Sequence, residues 1–189
     1  MWIKICGIRR YEDAYTAYML GADAIGFILT PSKRMISADD LGKWIGQIQG
    51  VEKVGVFRDE NPGYIARIAA NLGLDTVQVH GPIGPGYLEL KDKFQIILPF
   101  KDVGCIDHGL VKIFNARILV DASQGHGIQG QWEKHAFPFI LAGGLNPENI
   151  RRAVKTAQPM GVDVSSGVEL PDGTKDTSRM ERFIREARS

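Results

Sequence analysis

The sequence predicts a single (β/α)8, or TIM, barrel, and three observations lead there. Eight short apolar runs carry almost no polar alternation, as strands covered on both faces do. Between several of them lie stripes with apolar residues at i, i+3, i+4 and i+7, the mark of a helix with one buried face. Near the end, two strands in succession run into small residues, in Phe139-Ile-Leu-Ala-Gly-Gly144 and Gly161-Val-Asp-Val-Ser-Ser-Gly167. Two such loops at adjacent strand ends can cradle one phosphate at the rim of a parallel barrel. An open doubly wound sheet is the alternative that the same alternation allows.

The elements follow in order. A strand is expected at Ile3–Cys6, then a helix from Tyr11 to Leu20 closed by Gly21. The second strand, Ala24–Leu29, precedes a helical stripe of Leu41, Trp44, Ile45 and Ile48, with Ser37 as N-cap and Asp40 three residues on. After a strand at Lys53–Phe57, Asn61-Pro62 places a cap before a proline at the first helical position, and Ile65, Ile68, Ala69 and Leu72 form the buried face. Strands at Thr76–Val79 and Ile96–Pro99 flank the loop Gly81-Pro-Ile-Gly-Pro-Gly86. Asp102 to Phe114 makes a poor helix, interrupted by Gly104 and Gly109, before the strand Arg117–Asp121. The segment after Trp132 has room for about one helical turn. Strands at Phe139–Ala142 and Val162–Val164 complete eight. Asn146-Pro147 caps a helix bearing Ile150, Ala153, Val154 and Ala157, and Met180, Phe183, Ile184 and Ala187 mark the last. The helices around strands 5 and 6 are therefore short.

The 189 residues form one domain, 1–189, large enough for a substantial core. The apolar fraction of 44% and charged fraction of 24% are those of a globular protein, and a net charge of +1 gives no field favouring nucleic acid or an anionic membrane. No apolar run approaches the ~20 residues of a bilayer span. Met1-Trp-Ile-Lys-Ile-Cys6 lacks the basic and apolar regions of a signal peptide. Cys6 and Cys105 make neither a disulfide framework nor a metal spacing. The expectation is a cytoplasmic protein with reduced thiols.

Polar residues at the C-terminal ends of barrel strands are the candidates for chemistry. Cys6 ends the first strand. It is either a thiolate base or nucleophile, whose free thiol would titrate near about 8.5, or a small buried hydrophobe. Asp121 ends the sixth strand beside an apolar core. It is either a general acid with a raised pKa or a partner for loop amides. Arg34, after the second strand, could clamp a carboxylate or lie solvated at the surface. His80 follows the fourth strand, with satisfaction of a loop carbonyl as its simpler role, and Asp163 sits within the eighth as an orienting or reacting group. The glycine segment Gly125-His-Gly-Ile-Gln-Gly130 is a loop able to fold over a ligand, or an ordinary long turn, without the Gly-Lys-Ser/Thr ending of a Walker loop. Gly-x-Ser-x-Gly is absent, and no Cys/His cluster has metal spacing. A Schiff-base aldolase would need a lysine within a barrel strand. Strand 6 has none, and Lys4 and Lys53 lie near the starts of theirs.

Seven motifs recur together from Ile3 to Lys175. They are Lys4-Ile-Cys-Gly-Ile8 with Glu12-Asp13, then Gly21-Ala-Asp-Ala-Ile-Gly-Phe27, Ser32-Lys-Arg-Met-Ile-Ser37 and Val54-Gly-Val-Phe57. Val77-Gln-Val-His-Gly81, Leu141-Ala-Gly-Gly-Leu-Asn-Pro-Glu-Asn149 and Asp163-Val-Ser-Ser-Gly-Val-Glu169 complete the set. In this set and order the chain resembles the phosphoribosylanthranilate isomerase family of tryptophan biosynthesis. The resemblance implies an aldose–ketose isomerase that turns an N-linked phosphoribosyl anthranilate into the 1-deoxyribulose 5-phosphate aminoketose by an Amadori rearrangement, without a cofactor. It implies Asp121 as the acid that opens the furanose ring and Cys6 as the base at C2′. Arg34 matches the arginine for the anthranilate carboxylate; His80 and Asp163, from their places at the strand ends, are expected as further substrate contacts. Gly143, Gly144, Ser165 and Ser166 match the phosphate site. The implied partner is this small molecule, with the protein a monomer or homodimer. The chain departs from the family after strand 6, where Ile128 and Gln129 replace a lysine and a threonine. Two other readings are a related barrel isomerase acting on a different phosphoribosyl amine and a catalytically silent sugar-phosphate-binding barrel. The former family, from histidine biosynthesis, carries an aspartate where this chain has Cys6 and shows two similar halves, a repeat not found here.

Overall fold

The computed structural model describes residues 1–121 and 132–189. Eight parallel strands close into a barrel in chain order: β1 (Trp2–Cys6), β2 (Ala24–Ile28), β3 (Glu52–Phe57), β4 (Thr76–Val79), β5 (Gln95–Phe100), β6 (Arg117–Asp121), β7 (Ile140–Ala142) and β8 (Gly161–Val164). Each expected strand is present, with ends moved by one residue at most. The barrel excludes the open-sheet alternative, because β1 pairs with β8 as well as with β2.

The helices are α1 (Tyr11–Met19), α2 (Ala38–Gly42), α3 (Pro62–Leu72), α4 (Leu88–Lys91), α5 (His108–Phe114), α6 (Ile150–Ala157) and α7 (Thr177–Ala187). The expected caps at Ser37 and Asn61 form, each side-chain oxygen accepting an amide of the first turn. Two expectations need correction. The stripe from Leu41 to Ile48 is not one helix: α2 stops at Gly42, Trp44 leaves helical geometry at φ −141°, and a 3-10 turn spans Ile45–Gln47. Gly42 and Gly46 weaken a continuous helix there, while Trp44 packs edge-on against Phe27 and Tyr11. The regular helix after β7 begins at Ile150 instead of Pro147. Asn146 still caps the preceding turn, its Oδ1 accepting from the amides of Glu148 and Asn149. Between β5 and β6 a 3-10 turn at Val103–Cys105 precedes the seven residues of α5, and residues 132–139 contain no helix.

Strand periodicity sorts side chains into two cores. The larger lies between strands and helices and includes Ile3, Ile5, Ile25, Phe27, Ile65 and Phe183. The smaller fills the barrel with Ala24, Val54, Ile97, Leu119, Ile140 and Ala142, packed against Trp2. At the N-terminal end of the strands, Glu52 accepts from Trp2 Nε1 at 3.0 Å and pairs with Arg117 and Thr76. The barrel interior is therefore solid at its base, and its open end is the C-terminal rim. Among the described residues no helix is long and apolar enough to cross a membrane.

Candidate active site

A cleft of about 170 Å³ opens at that rim. It is lined by Cys6 from β1, Arg34 from the loop after β2, Gln78 and His80 from β4, Asp121 from β6 and Asp163 from β8. Gly143 and Gly144 follow β7, and Ser165 and Ser166 follow β8. All nine residues singled out in the sequence thus line one cavity. A broader lobe of about 440 Å³ adjoins it over β2 to β6, sharing His80 and Asp121 and adding Phe100, Arg58 and Lys101. The glycine segment 125–130 lies outside the described residues.

Cys6 and Asp121 occupy the last positions of their strands, so both sit in the upper layer of the barrel. Cys6 is 6% exposed, and Asp121 is partly buried. Burial pushes the Cys6 thiol up, and Asp163 adds to that, while Lys4 and Lys175 pull it down; the net direction is upward.

The loop after β7 turns through two left-handed residues, Gly143 at φ +93° and Gly144 at φ +64°. Only glycine adopts such a pair without strain. The turn is pinned by Asn149, whose Nδ2 donates to the Gly144 carbonyl at 2.9 Å. Gly167 brings the neighbouring loop against it: a Cβ there would lie 1.8 Å from the Leu145 carbonyl oxygen. The two small-residue loops therefore touch, as expected of two loops that cradle one anion.

Arg34 is neither at the surface nor vacant. Its Nε and Nη2 donate to the two carboxylate oxygens of Glu169 at 2.7 and 2.9 Å, and the guanidinium side chain is 19% exposed. Lys175, wholly buried, donates to Glu169 Oε1 at 2.8 Å and to the Ser165 carbonyl at 3.1 Å. Burial pushes the Glu169 carboxyl up, but the Arg34 hydrogen bonds and the Lys175 charge outweigh it and hold the group below its ordinary range.

Beneath the cleft runs a polar chain that sequence reasoning missed. Lys4, set aside as lying near the start of its strand, is fully buried inside the barrel. Its Nζ donates to Gln78 Oε1 at 2.9 Å and Asp163 Oδ2 at 3.1 Å. The Gln78 amide lies 2.8 Å from His80 Nε2. Because Gln78 Oε1 accepts from Lys4, its Nε2 must be the donor to that ring nitrogen. Burial, then the Lys4 charge, lower the His80 pKa to about 4. The ring is open to the mouth, so solvent softens the burial effect, but the amide donor acts in the same direction. Asp163 Oδ1 has no hydrogen-bond partner among the described residues. No group of three or more His, Cys, Asp or Glu placed to hold a metal occurs among the described residues.

The closed parallel strands and the polar cleft at their C-terminal ends define a (β/α)8 barrel with its site where enzymes of that architecture carry theirs. The model of the N-(5′-phosphoribosyl)anthranilate (PRA) isomerase family matches residues 3–186. An N-(5′-phosphoribosyl)anthranilate isomerase of Syntrophomonas wolfei is 37% identical over 196 residues, covering 96% of this chain and 95% of the relative. The crystal structure of phosphoribosyl anthranilate isomerase from Thermotoga maritima superposes with a TM-score of 0.83 at 31% identity, over 100% of this chain and 98% of that one. A phosphoribosyl anthranilate isomerase solved with reduced 1-(o-carboxyphenylamino)-1-deoxyribulose 5-phosphate has the same TM-score at 33% identity, again over 100% and 98%. The chain belongs to the phosphoribosylanthranilate isomerase family.

Proposed function

We propose that this protein isomerises N-(5′-phosphoribosyl)anthranilate to 1-(2-carboxyphenylamino)-1-deoxyribulose 5-phosphate in tryptophan biosynthesis, acting on a small molecule in the cytoplasm as a monomer or homodimer. The observation that carries the mechanism is the single cleft shared by Cys6, Asp121, Arg34 and the two small-residue loops. The amides and hydroxyls at Gly143, Gly144, Ser165 and Ser166 hold the phosphate. This sets the pentose across the barrel mouth, between β1 and β6.

Asp121, as the acid, gives a proton to the furanose ring oxygen. The C1′–O bond breaks, and the nitrogen lone pair forms the protonated Schiff base. Cys6, as thiolate, removes the proton from C2′, and the electron pair moves through C1′ to neutralise the nitrogen as an enolamine. Tautomerisation of its C2′ hydroxyl gives the ketone. The acid and base are separate groups because the two protons leave from different atoms, and strands β1 and β6 stand three strand steps apart around the closed sheet. Arg34 supports the anthranilate carboxylate. Two of its five N–H donors are taken by Glu169, which leaves the rest for the ligand. Asp163 offers Oδ1 to a sugar hydroxyl, and neutral His80 contacts the opened sugar.

The test is turnover of phosphoribosyl anthranilate by the purified protein, followed by loss of anthranilate fluorescence. Conversion to the aminoketose is the expected result. Tight binding without conversion would overturn the assignment in favour of a silent barrel.

A further inference from the structure

The mechanism uses Cys6 but leaves unexplained how so buried a thiol becomes ionised. The answer lies one layer deeper. Lys4 and Cys6 are two residues apart on β1 and therefore face the same way, into the barrel. Lys4 pairs in register with Asp163 on β8, and Cys6 with Gly26 on β2. At Gly26 any Cβ would lie 2.8 Å from the Cys6 sulfur and 2.9 Å from Lys4 Cε. The missing side chain on β2 is the space in which the lysine stem and the thiol lie together. The ammonium has three donors. Gln78 and Asp163 take two of them, and the Lys4 charge favours the ionised form of the neighbouring Cys6 thiol.

We propose that Lys4 is a positioning residue for the reaction: its fixed, buried ammonium supplies the countercharge against which Cys6 ionises when it acts as the base. This rests on Cys6 being the base in the proposed isomerisation. The other charges that face the thiol do not replace it. Asp163 on β8 opposes the thiolate, and its effect is smaller than that of Lys4. Lys175 helps less than Lys4 and is tied to Glu169. Arg34, after β2, is forked onto the same glutamate. Asp121 on β6 and His80 on β4 share the cleft, one an acid and the other held neutral by Gln78. An ion pair of Lys4 with Asp163 alone would not need the gap at Gly26. In a low-dielectric interior a buried charge acts far more strongly on a neighbouring thiol than it would in water.

The experiment uses a Cys105→Ser background, so that Cys6 is the only thiol. Iodoacetamide alkylation is followed against pH in this chain and in the Lys4→Met and Lys4→Gln variants, with folding checked by circular dichroism. The expected result is an alkylation midpoint raised by at least one pH unit in both variants. At neutral pH kcat should fall at least tenfold and recover as the pH approaches the new midpoint, with KM little changed. An unshifted midpoint in a folded variant overturns the proposal, even if kcat falls. Should neither variant fold, the lysine 13Cε resonances of the unmutated lysine set are followed by NMR through the Cys6 titration. The Lys4 signal should move with that midpoint and stay still in Cys6→Ser; a signal indifferent to Cys6 overturns the proposal. The alkylation and NMR arms need no substrate. Absence of turnover in the unmutated protein would therefore refute the isomerase reading separately.

Discussion

Arg34 and Glu169 face one another in a two-pronged ion pair, Nε to Oε1 at 2.7 Å and Nη2 to Oε2 at 2.9 Å, with Lys175 closing on the same carboxylate. One acid thus holds two cations from different parts of the chain at the rim beside Cys6. The Arg34 stem lies over Gly7, directly after the cysteine, with Cδ 2.9 Å from where a Cβ on that glycine would sit. Glu169 is what keeps Arg34 from swinging into solvent.

Glu169→Gln should therefore destabilise the protein by about 3 kcal/mol, because it leaves the wholly buried Lys175 without its counterion. Urea unfolding measures this. A loss below about 1 kcal/mol, the range of exposed pairs, would show that the network does not brace the rim.

The same carboxylate fixes a pH dependence. Its folded-state pKa lies below its ordinary value of 4.5, so the unfolded chain binds protons first as pH falls. The stabilisation from this group is complete well above pH 4.5 and is lost as the pH drops through the folded-state value. The urea midpoint of the unmutated chain should decline over that acid range more steeply than that of Glu169→Gln. Parallel curves would assign the acid sensitivity to other groups.

His80 should stay neutral at pH 6. Lys4 orients Gln78, Gln78 donates to His80 Nε2, and a protonated ring could not accept that bond. Its pKa lies at about 4. An NMR titration of the ring C–H signals checks this, and a midpoint at or above the ordinary 6.5 would break the chain of donors running from Lys4 to the mouth.

Cys6→Ser and Asp121→Asn should each lower kcat by about 10²–10⁴-fold, the range of a single acid or base function, while changing KM only a few-fold. Steady-state kinetics with phosphoribosyl anthranilate gives both constants. A rise in KM at unchanged kcat in either variant would move that residue from proton transfer to binding.

Much of this was legible in the chain, for identifiable reasons. Strands buried on both faces announce themselves by unbroken apolar runs, which is why all eight were placed. Cys6, Asp121, Ser165 and the paired glycines stood out because polar or small residues end those runs. Lys4 was passed over because its place near the start of β1 suggested the edge of the barrel. The signal was nevertheless present: a lone lysine in one doubly buried strand and a lone aspartate, Asp163, in another must meet. Glu169 was inside a quoted motif, but nothing local told that it reaches back 135 residues to Arg34. Lys175 carried no signal at all, since its burial depends on how the chain between β8 and α7 folds onto the rim.

The base of the barrel offers the contrast that separates stability from chemistry. Arg117 starts β6, four residues before Asp121 ends it, and points to the opposite end of the barrel. There it pairs with Glu52, donates to Thr76 at 3.0 Å and lies 4.9 Å from the Trp2 ring centroid. Burial pushes Glu52 up, but Arg117 and Thr76 together hold it ionised, so removing the guanidinium leaves a half-buried carboxylate short of its main donor. Arg117→Met should cost about 1–3 kcal/mol of stability, the penalty of an undersatisfied charged hydrogen-bonding group. It should leave kcat and KM within about twofold, because barrel chemistry is carried at the other face. Denaturation and steady-state assays on the same preparation read both. A fall in kcat at retained folding would mean that the two ends of the barrel are mechanically coupled through the layer containing Leu119.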